Sequence, residues 1–272
     1  MSPQIKDIIF SLNSHAPFSL AEPWDNVGLL LGDARRQVSS LLIGLDPTSA
    51  LIDEAIAIGA DTVITHHPLI FQPISAINTA SPLGRTLEKA LQHGINIIAC
   101  HTNLDTAENG VSDALAKALG LANLTPLIIS PNATDSGHGM GRIGNYPEGI
   151  PSSVFLHYLR QALDLTSFYI VGPLPDIITT VALCGGSGSD LAAIAYEKGA
   201  DLYLTAEIKH HIARWAEEHG FCLIEGTHYA TERPAIGLLA DILQAVKISA
   251  NWDILITQTQ TERHPFVLTH IE

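Results

Sequence analysis

The fold is decided by the stretch Gly59-Ala-Asp-Thr-Val-Ile-Thr-His-His-Pro68. Its centre, Thr62 to Thr65, consists of β-branched residues, which predicts a short strand that is buried on both faces of a sheet. His66 and His67 follow directly, and Pro68 marks the end of the strand. Open α/β sheets bind their ligands at the carboxyl ends of strands, so the two histidines are a candidate pair of metal ligands. Two solvated histidines on a loop are the alternative interpretation.

The segments on both sides of this strand complete a βαβ pattern. Ser40–Leu45 predicts a strand, and residues 50–58 predict a helix that Gly59 ends. Farther along the chain, Leu83–Gln92 predicts another helix and Ile95–Ala99 a third buried strand. Strands that alternate with helices favour a parallel sheet, so we expect an α/β protein.

The second half of the chain repeats the first half. The matched motifs occur in the same order in both halves, with one long period rather than the several short periods of a solenoid. The matched pairs are 58–65 with 198–205, 93–98 with 219–224, and His101-x-x-x-Asp105 with His228-x-x-x-Glu232. The pattern predicts an internal duplication that has produced two related α/β domains.

Residues 123–150 are rich in glycine and proline and are the best candidate for a domain boundary. We expect a first domain over residues 1–128 and a second domain over residues 129–272. The segment after about residue 235 is expected to pack back on the first domain. The metal site is expected in the cleft between the two domains.

Composition and charge restrict the class of protein. The 272 residues carry a formal net charge of −14, and no basic run exceeds Arg35-Arg36, which makes nucleic acid an unfavoured partner. Cys100, Cys184 and Cys222 each lie in or beside an apolar run, which predicts buried free thiols in a reducing compartment. The sequence shows neither a secretory leader nor an apolar run of about 20 residues. We therefore expect a cytoplasmic protein without membrane association.

The two repeats group scattered residues into one candidate metal-binding set. A histidine and a carboxylate four residues apart lie on one face of a helical turn, so each repeated pair can reach the same ion. Imidazoles with carboxylates suit Zn, Fe, Mn or Co, and a carboxylate can bridge two cations about 3.5–4 Å apart. Separate surface or core histidines are the alternative. The set comprises His66, His67, His101, Asp105, His228 and Glu232.

Six motifs occur in a fixed order along the chain: Trp24-Asp-Asn-Val-Gly-Leu29, Thr65-His-His-Pro68, His101-Thr-Asn-Leu-Asp105, Gly185-Gly-Ser-Gly188, Gly199-Ala-Asp201 and His228-Tyr-x-Thr-Glu232. In this order they resemble the motifs of the dinuclear-metal proteins called GTP cyclohydrolase I type 2 homologs. The resemblance spans nearly the whole chain and is to the short members of that family, which lack an inserted domain.

The resemblance implies a toroidal homohexamer whose subunits each hold two divalent cations. The residues that match the family's ligands are His66, His67, Asp105, His228 and Glu232, and Glu232 matches the bridging carboxylate. His101 lies outside that ligand set. We expect it beside the metals, as a catalytic group that orients a ligand or moves a proton.

The resemblance also implies a metal-dependent hydrolase in which an activated water attacks GTP. A non-catalytic metal-binding hexamer that acts as an interaction protein, and a phosphoesterase with another substrate, are the alternatives. We expect a nucleotide or another phosphate-containing small molecule as ligand, and the amides of Gly185–Ser189 could hold its phosphates or simply form a tight turn. Ala206 and Thr227 depart from the family, which usually has glycine at both positions, but neither change removes a ligand.

Overall fold

The computed structural model of the protein describes residues 2–131 and 137–267. Within these ranges, the chain divides into two compact units. The first unit comprises Met1–Leu104 and Ala235–Glu272, and the second comprises Asp105–Pro234. The boundary that composition predicts, after residue 128, falls within a strand of the second unit and stays a prediction about the folding domains.

The elements follow one another in an alternating order. Up to the end of the first unit's main segment they are α1 (Ile5–His15), β1 (Gly28–Leu31), β2 (Ser40–Gly44), α2 (Ser49–Ile58), β3 (Thr62–Thr65), α3 (Pro82–Gln92), β4 (Asn96–Ala99) and α4 (Thr102–Thr106). They continue with α5 (Val111–Ala118), β5 (Ala122–Ile129), β6 (Gly139–Pro151), α6 (Ser152–Leu163), β7 (Tyr169–Val171), β8 (Ile177–Ser187), α7 (Ala192–Glu197), β9 (Leu202–Ala206), α8 (His210–His219), β10 (Cys222–Glu225), α9 (His228–Glu232), α10 (Pro234–Ser249) and β11 (Leu255–Gln258). No helix in the described part of the chain is both long and apolar enough to cross a bilayer.

The sheet of the first unit has five strands in the order β1-β4-β3-β2-β11. The strands β2, β3, β4 and β11 are parallel, and β1 pairs with β4 in the antiparallel sense. Every residue of β2, β3 and β4 is buried, as expected for strands covered on both faces. The α/β fold class and these three strands, all predicted from the sequence, are confirmed.

The sheet of the second unit has six strands in the order β5-β6-β8-β9-β10-β7. Its centre, β8-β9-β10, is parallel, and the remaining neighbours pair in the antiparallel sense. Most of the glycine- and proline-rich stretch 123–150 lies in β5 and β6, where composition predicted a domain boundary rather than strands. These residues are strand-forming because they pair with each other and with β8.

The duplication is visible as one topology used twice. In each unit an antiparallel edge strand is followed by a βαβαβ segment and a five-residue helix. The repeated Gly-Ala-Asp motif has the same function in both copies. The Asp61 carboxylate accepts hydrogen bonds from the backbone N–H groups of Ser39 and Ser40 at the start of β2 (2.7 and 3.2 Å), and Asp201 makes the same pair of bonds at the start of β8 (2.7 and 2.8 Å). The motif thus aligns neighbouring parallel strands.

The three cysteines are buried free thiols, as the sequence predicted. Burial raises the pKa of Cys100, Cys184 and Cys222 to about 12. A thiol with so high a pKa remains protonated at neutral pH and is a poor nucleophile and metal ligand. The three thiols are therefore poor candidates for the chemistry of this protein.

Candidate metal centre

Three histidines of the first unit come together at the carboxyl ends of β3 and β4. The chain bends at His66 and His67, directly after β3, while His101 follows β4. The three ring centroids lie between 5.0 and 5.3 Å from one another. One nitrogen atom of each ring lies within 4.8 Å of the corresponding atoms of the other two, so the group could hold a metal ion. The bend allows two consecutive residues to face one site.

Each imidazole of this group is held at Nδ1 by an acceptor. The pairs are His66 with the Cys100 carbonyl (2.8 Å), His67 with the Asp46 carboxylate (2.7 Å) and His101 with the Asp25 carboxylate (2.8 Å). A carbonyl or a carboxylate oxygen accepts a hydrogen bond, which assigns the proton to Nδ1 and the lone pair to Nε2. Histidines that bind metals are usually oriented by such an acceptor on the other ring nitrogen. The group therefore has the tautomers that a metal requires.

Asp25 is the strongest anchor of this group. Burial alone would raise its pKa, but the hydrogen bonds from His101 and Thr102 outweigh burial and lower the pKa to about 2. Its side chain is fully buried, and it accepts hydrogen bonds from both the backbone N–H and the hydroxyl of Thr102. Asp25 is therefore ionised throughout the neutral range and fixes the orientation of His101.

The second unit contains a histidine between two carboxylates. His228 is the first residue of α9, and its Nδ1 lies 2.9 Å from Oε1 of Glu207. Its Nε2 lies 2.9 Å from Oε2 of Glu232, one helical turn later. Glu232 is buried, with a side chain only 4% exposed. The i,i+4 spacing thus brings both side chains to one face, as the sequence predicted.

Asp105 belongs to α4 and is buried in the second unit. Burial and the negative charges of Asp105 and Glu232 together raise the pKa of Cys184. The chain that follows α4 is fixed by the buried Arg142, which donates to the carbonyl of Ala107 (2.7 Å) and forms an ion pair with Asp113 (2.7 Å). The negative charges of Asp105 and Glu232 therefore both raise the pKa of one buried thiol, that of Cys184.

Gly185 and Gly186 lie at the end of β8, and this glycine-rich segment leaves room for Glu232. A Cβ atom on Gly186 would lie 2.0 Å from Oε1 of Glu232, and this glycine has a positive φ of 66°. Three of the segment's amides already donate to hydroxyl groups of the protein: Gly185 to Ser112 (3.3 Å), Gly186 to Thr231 (3.0 Å) and Gly188 to Thr205 (3.1 Å). These three amides are therefore engaged within the protein, and phosphate binding by the segment Gly185–Ser189 stays a prediction.

Thr227, one of the two departures from the family pattern, has a strained backbone. Its φ of 61° and ψ of 145° lie in a region that glycine adopts without strain, which costs a residue with a side chain on the order of 1–3 kcal/mol. Its hydroxyl accepts a hydrogen bond from the N–H of Ala230 and caps α9, which offsets part of this cost. The cap fixes the helix that begins with His228.

Comparison with known proteins gives the family of this chain. The sequence model of the Duf34/NIF3 (NGG1p interacting factor 3) family matches residues 3–265. The chain belongs to the Duf34/NIF3 family. A relative from Streptomyces coelicolor, named GTP cyclohydrolase 1 type 2 homolog, is 32% identical over 267 residues, which cover 97% of this chain and 94% of the relative. The family resemblance found in the sequence is thus confirmed.

Solved structures share the fold of this NIF3-family chain over its whole length. A Bacillus cereus protein related to NIF3 has a TM-score of 0.91 at 26% identity, with 99% of this chain and 100% of that chain covered. A Staphylococcus aureus protein has a TM-score of 0.90 at 31% identity, with the same coverage. These likenesses confirm the mixed α/β architecture with two sheets.

Each unit contributes part of the candidate set. His66, His67 and His101 are together in the first unit, and the pair His228 and Glu232, with Asp105, is in the second. Sequence reasoning gave no role to two residues that orient this set, Asp25 and Asp46. Asp25 lies in the Trp24–Leu29 motif and Asp46 follows β2, so a search for carboxylates in motifs and at strand ends could have found both.

Proposed function

We propose that this NIF3-family protein binds two divalent metal cations per subunit and uses them in a hydrolytic reaction. The proposed ligands are His66, His67, Asp105, His228 and Glu232. The observation that carries the proposal is the set of imidazoles whose Nδ1 atoms are held by Cys100, Asp46 and Asp25. Bound divalent cations supply Lewis-acid polarisation of a substrate and a water of lowered pKa.

The donor set indicates the kind of metal. Three imidazoles and two buried carboxylates combine borderline nitrogen donors with hard oxygen donors, which suits Zn, Fe, Mn or Co better than Ca or Mg. The buried thiols do not compete, because burial keeps them protonated. Two carboxylates allow one of them to bridge two cations, and we propose Glu232 for that role.

His101 is proposed to relay a proton or orient a ligand. Its contact with the ionised Asp25 keeps the ring in place, as in other carboxylate–histidine pairs of hydrolytic sites. Its position beside His66 and His67 also suits a fourth imidazole ligand. The two roles differ in what the removal of the ring does to bound metal.

The substrate class follows from the relatives. The Streptomyces coelicolor relative carries the name GTP cyclohydrolase 1 type 2 homolog, so we propose a nucleotide as substrate. The alternative functions, a phosphoesterase with another substrate and a non-catalytic metal-binding protein, would use the same metal ligands. We also propose a cytoplasmic homohexamer, on the family resemblance.

Metal analysis of protein purified without chelators, before and after reconstitution with each candidate metal, tests the proposal. We expect about two ions per subunit, and no more than one in Glu232→Ala. A screen of GTP, other nucleotides and phosphoesters with the reconstituted protein then separates hydrolases from the non-catalytic alternative. A stoichiometry near zero after reconstitution would refute the metal centre.

The same measurements distinguish the roles of His101. We expect His101→Ala to retain both ions and to lose about 10²–10⁴-fold of the hydrolytic rate found in the screen. The control is His93→Ala, which removes an exposed histidine whose Nδ1 contacts the Lys89 carbonyl. Loss of metal from His101→Ala alone would make His101 a ligand, and full activity with both ions would make it structural.

A further inference from the structure

Two aromatic side chains lie exposed beside the histidine group of the first unit. Trp24 is 56% exposed and Phe71 is 43% exposed. The centroids of the two rings are 5.8 Å apart. The Trp24 centroid lies 6.2 Å and the Phe71 centroid 6.3 Å from the centroid of the His101 ring. Two large aromatic rings therefore flank one member of the candidate metal centre.

The backbone next to each ring is held in place. Asp25, directly after Trp24, is fixed by His101 and Thr102. The side-chain amide of Asn26 donates to the carbonyl of Ile70, directly before Phe71, and so connects the two loops. The aromatic rings are thus anchored at their bases while much of their surface remains exposed.

Exposed aromatic surface of this kind has a specific use in binding sites. Contiguous exposed apolar surface marks interaction sites, and ligand pockets are lined mainly by apolar and aromatic side chains. A π face binds the face or edge of another flat ring and tolerates different ring substituents. A ring held by this pair would lie next to His101, where the proposed reaction takes place.

We propose that Trp24 and Phe71 bind a planar heteroaromatic ring of the substrate and present it to the histidine group. This inference rests on the proposed function and narrows its substrate class to molecules with such a ring. The pair could instead contact a second copy of the chain, but that use would not require the rings to contact His101. Both rings do contact His101.

Binding of two matched probes to the metal-loaded protein tests this proposal. Guanosine 5′-monophosphate and ribose 5-phosphate share a sugar and a phosphate and differ in the ring, so calorimetry with both isolates its contribution. We expect the nucleotide to bind at least tenfold more tightly than the sugar phosphate. Base stacking on an aromatic side chain contributes about 1–3 kcal/mol to binding. Trp24→Leu and Phe71→Leu should therefore each lower the affinity for the nucleotide by about five- to a hundredfold.

Three comparisons make the result specific. Ribose 5-phosphate should bind the variants as it binds the wild type, and Trp24→Phe should retain most of the nucleotide affinity because it keeps a π face. Phe10→Leu is the control, since it removes an aromatic ring that is 73% exposed on α1. If Trp24→Leu does not fold, as judged by circular dichroism, Trp24→Phe and Phe71→Leu still decide the question.

Equal affinity of the wild type for the two probes would overturn the inference. So would unchanged nucleotide binding in both leucine variants, and a change of sedimentation coefficient without a change of nucleotide affinity would assign the rings to a contact between copies. Each of these outcomes leaves the proposed function intact when two ions per subunit are measured on the same samples. Absence of metal from the wild type would instead refute the proposed function itself.

Discussion

Gly186 shows at the residue scale how a missing side chain shapes the candidate centre. Its positive φ is one reason for glycine, and the space it leaves for the carboxylate of Glu232 is a second, independent reason. Gly199 has a similar positive φ of 77°, but a Cβ atom there would have no heavy atom within 4 Å. The two glycines thus separate backbone strain from displacement of the Glu232 carboxylate.

We predict that Gly186→Ala displaces Glu232 and lowers the bound metal to one ion or fewer per subunit. Gly199→Ala should retain both ions. Both variants should lose about 1–2 kcal/mol of unfolding free energy, because alanine is strained at positive φ. Metal analysis and urea denaturation of the metal-free proteins measure the two effects, and equal metal loss in both variants would contradict the assignment of Glu232 as a ligand.

At the element scale, the C-terminal segment supports the histidine group of the first unit. β11 pairs with β2 in the parallel sense, and the following residues donate three hydrogen bonds to the carboxylate of Glu54 on α2. Glu262 then accepts the backbone N–H groups of Leu45 (2.8 Å) and Asp46 (2.6 Å). Because Asp46 orients His67, the segment stabilises the end of β2 that carries this anchor.

We predict that the attachment of this segment weakens in acid through Glu54. Burial raises the pKa of Glu54, but the hydrogen bonds from Thr259, Thr261 and Gln260 outweigh it, so that the net pKa lies below the ordinary value of 4.5. A lowered pKa in the folded protein contributes stability that is present above the unfolded value and is lost as the pH falls through the folded value. The stability difference between wild type and Glu54→Gln should therefore shrink as the pH falls below about 4.5.

Glu262→Gln provides the comparison of opposite sign. Burial raises the pKa of Glu262 by more than the backbone hydrogen bonds from Leu45 and Asp46 lower it, and the negative charge of Asp46 adds a smaller increase. Ionisation of Glu262 therefore costs stability as the pH rises through its folded pKa. Urea denaturation of the wild type and both variants between pH 7 and pH 4 measures the slopes, and slopes of the same sign would contradict this account.

At the scale of the whole molecule, we predict a hexamer on the family resemblance. Sedimentation equilibrium over a range of concentrations should give six times the subunit mass of 29.1 kDa. The formal charge of −14 per subunit makes association at low ionic strength unfavourable, so the measurement belongs in about 0.15 M salt. A single 29.1 kDa species at micromolar protein would refute the prediction.

The sequence by itself determined the local features of this protein. Short apolar runs predicted β2 and β4, the β-branched residues Thr62–Thr65 predicted β3, and the repeated Gly-Ala-Asp motif predicted the duplication. The four-residue spacing predicted that His228 and Glu232 face each other. Each of these features depends on residues within one element or one turn, where side-chain type and backbone periodicity fix the conformation.

Only the tertiary structure decided which distant residues complete these features. β5 and β6 arise from a glycine- and proline-rich stretch because each pairs with a neighbouring strand, and pairing is not encoded in local propensity. Asp25 lies 76 residues before His101, and Glu262 lies 217 residues after Leu45. Such contacts form when packing brings carboxylates to strand ends. The pKa of Asp25 is low only in the folded protein, where His101 and Thr102 donate hydrogen bonds to its carboxylate.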